Sequence, residues 1–181
     1  MPYYWKLLSA EILLEDSITQ YFFDKIDPTT FLLAWNARRI LGDLLKKENK
    51  ESPWLKYVKE NYKNVDIDKM IKHLKLHSNF FKHADWKKDE VKEILCEEWL
   101  LEYILWEAIW NYEILKNKIT FKMDIYKSYI MYKSYYLYIN DFDFEINLKN
   151  KIDNITKKFW KIITKKDFYE NYLLNKEIWK Q

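Results

Sequence analysis

One glycine and three prolines in 181 residues leave this chain almost no means of building tight turns or phosphate-cradling loops. Phosphate-binding loops and dinucleotide fingerprints, which need several glycines at fixed offsets, are therefore excluded. One cysteine, Cys96, excludes an intrachain disulfide and any CxxC or Cys/His zinc set, and it points to a reducing compartment. Neither sign of charge prevails: 31 basic residues face 28 acidic ones, and a net charge of +3 neither announces nor forbids a polyanion partner. Long apolar runs are missing too. The most apolar stretch, Trp99 to Trp110, is broken by Glu102 and Glu107, short of the ~20 apolar residues a membrane span requires. The first residues reach Glu11, Glu15 and Asp16 before any run of signal-peptide length. A cytoplasmic protein without a membrane segment is expected.

Aromatic residues are abundant, 19% of the chain, and apolar residues recur at helical spacing along most of it. A chain of this length can take about 70% of its unfolded surface out of water as one domain, so it needs no covalent or metal staple. Residues 4–23 place Trp5, Leu8, Ile12, Ile18 and Phe22 near one helical face. Asp27-Pro28 supplies an N-cap acceptor followed by proline in the first helical position, which starts a second helix. That helix carries Phe31, Ala34, Trp35, Ala37, Leu41, Leu44 and Leu45 and ends in Lys46-Lys47, which suit the negative end of the helix dipole. Gly42 lies inside it, and close approach of a neighbouring helix is the expected reason. Ser52-Pro53 opens a short helix holding Trp54, Leu55 and Val58. Longer helices are expected over about Asp66–His83, Asp89–Lys116 and Thr120–Ile139. The last is rich in tyrosine and lysine; it has the make-up of a base-stacking platform, but tyrosines at helical spacing are more often core.

These elements predict an all-α, up-and-down bundle of about five main helices with a helical C-terminal extension. Residues 1–140 form the bundle domain, and residues 141–181, rich in lysine and aromatics, pack on the same domain.

Chemistry-bearing side chains crowd together at one place, Ser78-Asn79-Phe80-Phe81-Lys82-His83-Ala84-Asp85. Asn79 and His83 are four apart and stack along one helical face. His83 titrates near neutrality and suits a general acid or base, while Lys82, Arg38 and Arg39 suit phosphate. The competing reading has Asn79 and His83 bonded to backbone groups at a helix terminus that turns into Asp85. His73 and His77 also have the spacing of two metal ligands on a helix, but Lys72 and Lys75 oppose a cation and no further ligands are identifiable, so no metal and no cofactor are expected.

The stretches Leu33–Gly42 and Asn79–Asp85, with Ala108–Glu113 and Thr120-x-x-Met123, resemble a group of small uncharacterised bacterial helical proteins over roughly residues 7–135. In that group positions 38 and 39 are usually acidic, whereas here both are arginine. More distantly, the arrangement resembles the HEPN superfamily of helical domains, many of which are dimeric, metal-independent ribonucleases. Their motif is an arginine, a polar residue and then a histidine about one turn on. Asn79 matches the polar position and His83 the histidine, but Ser78 stands where the arginine belongs and lacks a charged fork for the scissile phosphate. The resemblance thus implies a module that binds RNA or a protein, non-catalytic or weakly active. Asn79 and His83 would be its catalytic-motif residues, and Lys82, Arg38, Arg39 and Asp85 its binding residues. Two further readings stay open, a metal-independent endoribonuclease using His83 and a homodimeric interaction protein whose aromatic excess marks an interface.

Overall fold

The computed structural model describes residues 2–61, 97–138 and 164–174. Among these the chain is all-α, with six helices and no strand: α1 (Pro2–Phe22), α2 (Pro28–Lys47), α3 (Pro53–Asn61), α4 (Glu98–Lys116), α5 (Phe121–Tyr138) and α6 (Lys165–Leu174). The expected helix over Asp66–His83 and the domain boundary near residue 140 lie outside the described residues, and the helix expected without a break from Asp89 to Lys116 is interrupted at Glu97, whose backbone is extended at the N-cap of α4. No helix among the described residues is long and apolar enough to cross a membrane. Two compact units are formed, Met1–Tyr21 with Lys25–Ile119 and Phe22–Asp24 with Thr120–Gln181.

In a chain with so little glycine, helices end on asparagine and aspartate, the residues that best tolerate the left-handed conformation after glycine. Asp24, Asn49 and Asn117 have φ of 56°, 54° and 52°. Past α1 the Lys25 N–H bonds the Gln20 carbonyl at 3.0 Å, and past α2 the Lys50 N–H bonds that of Leu45 at 2.9 Å. Both are the six-to-one closures of a Schellman motif. At the start of α2, the Asp27 carboxylate accepts the Thr30 N–H at 2.8 Å with Pro28 behind it, as the Asp-Pro pair predicts.

In the first unit the contacts fix helix directions. Tyr3 donates to Glu48, and the Thr30 hydroxyl lies 2.6 Å from the Gln20 side-chain oxygen, so α1 and α2 are antiparallel. Tyr112 donates to Glu11, and the Tyr21 hydroxyl meets Glu98 and Glu102, so α1 is also antiparallel to α4. Consequently α2 and α4 run in the same direction and pack along each other. That is the sense expected of the second and fourth members of an up-and-down bundle. Every apolar residue assigned to the core face of α2 is buried.

The apolar face of α1 differs from expectation. Leu7, Ala10, Leu14, Ser17, Ile18 and Tyr21 are buried, whereas Trp5 and Ile12 are 60% and 52% exposed. This helix carries two interleaved apolar stripes, and periodicity alone does not choose between them.

In the second unit, Phe22 stacks on Tyr169 with ring centroids 4.9 Å apart and meets Tyr126 and Tyr129 edge-on. Phe168 of α6 packs against Tyr129 and Tyr132, and Lys165 pairs with Asp24 at 2.7 Å. The tyrosines of α5 at positions 126, 129 and 132 are therefore core, not a stacking platform.

Gly42 also departs from expectation. A Cβ built there meets no described atom within 4 Å, so no helix among the described residues approaches it closely. Gly42→Ala is expected to stabilise the protein by about 0.5–1 kcal/mol, because alanine restricts the unfolded chain and meets open space in the folded one. The midpoint of urea unfolding, measured beside wild type, checks this; a lower midpoint would mean that another part of the chain occupies the space.

Candidate functional site

Of the residues singled out from the sequence, Arg38 and Arg39 lie among the described residues; Asn79, Lys82, His83 and Asp85 lie outside them. The two arginines are neighbours, about 100° apart around α2, and their surroundings are opposite.

Arg38 points into the seam between α2 and α4. Its Nε donates to Glu107 Oε2 at 2.5 Å, and the Tyr103 hydroxyl donates to the same oxygen at 2.7 Å. The Arg38 guanidinium carbon lies 4.9 Å from the Trp35 ring centroid, one turn earlier on the same helix. The Trp54 ring of α3 meets Tyr103 edge-on at 4.8 Å. The side chains of Arg38 and Glu107 are only 13% and 3% exposed. Three helices thus build a nearly dry cluster in which a cation, a carboxylate and a phenol are held between indoles.

Electrostatics keep Arg38 charged and Tyr103 neutral at neutral pH. Burial opposes the charge on Arg38, but the neighbouring Glu107 carboxylate, helped by Tyr103, outweighs it and raises the Arg38 pKa. Burial, and then the Glu107 charge, push the Tyr103 hydroxyl well above its usual value. Arg38 is therefore a fixed cation and Tyr103 a neutral hydrogen-bond donor, and neither exchanges a proton near neutrality. Among the described residues the guanidinium donates through Nε, to Glu107.

Asn111, one turn beyond Glu107 on α4, is 1% exposed, and neither atom of its carboxamide has a hydrogen-bond partner among the described residues. A buried amide left unpaired costs roughly 1–3 kcal/mol. No group of three or more potential metal ligands occurs among the described residues.

Arg39 is exposed and forms no ion pair among the described residues. Asp43, Lys46 and Lys47 are exposed further along α2, and Lys46 shares the face of Arg39 two turns on.

Sequence reasoning missed Tyr103, Glu107 and Asn111 as a polar seam. Glu107, met in the sequence as a break in the apolar run from Trp99 to Trp110, faces the core. The available signal was a glutamate and an asparagine four apart inside an otherwise apolar run.

Comparison of the chain with protein-family models, with characterised proteins and with solved structures found no match in any of the three.

Two outcomes are expected. Glu107→Gln should destabilise the protein by about 3 kcal/mol by leaving a buried guanidinium uncompensated, while Glu107→Leu combined with Arg38→Met should recover most of that loss. Unfolding free energies of the single variants and the double variant test it; strictly additive losses would show that the pair does not act as a unit. The second concerns alkaline pH. Tyr103 and Tyr112 are pushed upward, chiefly by burial, and Tyr3 to about 12 by its bond to Glu48. The folded protein retains protons that the unfolded chain releases near pH 10, so stability should be level below about pH 10 and fall above it. Tyr103→Phe should shallow that fall, read from urea midpoints between about pH 8 and about pH 11.5.

Proposed function

We propose that this chain is a HEPN-like helical module that binds RNA through cations on its surface and does not cleave it. The observation that carries the reading is the division of labour on α2. Arg38 is committed to Glu107 inside the bundle, while Arg39 stands exposed and without an ion pair among the described residues, sharing a face with exposed Lys46. An uncommitted arginine with a lysine two turns on is what a sugar-phosphate backbone engages, at little desolvation cost. Asp43 between them lowers the local charge and limits the affinity. Lys82 supplies a further cation on this reading, and Asn79, His83 and Asp85 belong to a motif whose missing arginine, replaced by Ser78, accounts for the lack of cleavage.

Binding to a labelled structured RNA should weaken steeply with salt. Arg39→Ala should lower it about fivefold near 0.1 M salt and reduce the salt slope by about one contact, with Lys46→Ala adding to the loss. Affinity indifferent to both salt and Arg39→Ala would overturn the RNA reading. Incubation of the same RNA in EDTA, by wild type beside an equally folded His83→Ala, distinguishes the ribonuclease alternative. Cleavage by wild type alone would replace a binding module with an enzyme that uses His83.

A further inference from the structure

We draw no further inference here: the strongest candidate, the buried Asn111 carboxamide without a partner among the described residues in the polar seam between α2 and α4, belongs to the site already described, and the atoms packed around it leave a ligand no access.

Discussion

A glutamate that is 3% exposed in the middle of an apolar helix must find a cation or give up its charge, and much of the first unit is arranged to supply that cation. Arg38 meets the requirement only if α2 lies beside α4 in the same direction and at one axial offset, since a slip of one turn would carry its Nε away from Glu107. The buried pair is thus a condition on register more than a source of stability. A well-packed pair of apolar side chains would hold the helices as firmly, but without specifying which turn faces which. Tyr103 and Trp54 extend the condition to α3, because the phenol that completes the carboxylate's hydrogen bonds is itself packed against the Trp54 indole.

Local chemistry is legible in the sequence wherever it is decided within a few residues. The Asp27-Pro28 start of α2, its seven core positions, the Pro53 start of α3 and the end of α4 at Lys116 all follow from capping and period, and all appear in the structure. What is not legible depends on partners far along the chain. Arg38 and Glu107 are 69 residues apart, and nothing near either says that one charge answers the other. Arg38 and Arg39 are equivalent as residue types; only the packing of α4 divides them into a buried structural cation and an exposed one. Of the polar cluster around Asn79 and His83 the described residues say nothing, so its chemistry rests on the sequence pattern.

The departures at α1 and at Gly42 have a common physical source. On α1, apolar residues occupy two faces, and the stripe of larger side chains, Trp5 with Ile12, has the look of core, while Leu7, Ala10 and Leu14 fill the core in fact. On this one helix the small Ala10 and the large Tyr21 are both fully buried, so side-chain size does not choose the face. At Gly42 the missing side chain suggests close approach, yet no atom of the described residues stands within 4 Å of a Cβ built there. Residue size alone is therefore an ambiguous guide to packing distance, and it becomes informative only once the neighbouring helix is located.

Scarcity of glycine ties these observations together. Without it the chain ends α1, α2 and α4 with aspartate or asparagine in the left-handed region, each held by backbone closures onto the preceding turn. Such ends cost more strain than glycine would, and they also restrict the unfolded chain more, so part of the cost is recovered in entropy. At the end of α1 the same device serves packing. The turn at Asp24 lets Phe22 and Phe23 contact Tyr169 while Asp24 itself pairs with Lys165, so a cap residue doubles as an anchor for α6. A glycine in that position would close the helix as well but would take from Lys165, whose side chain is only 9% exposed, the carboxylate it pairs with.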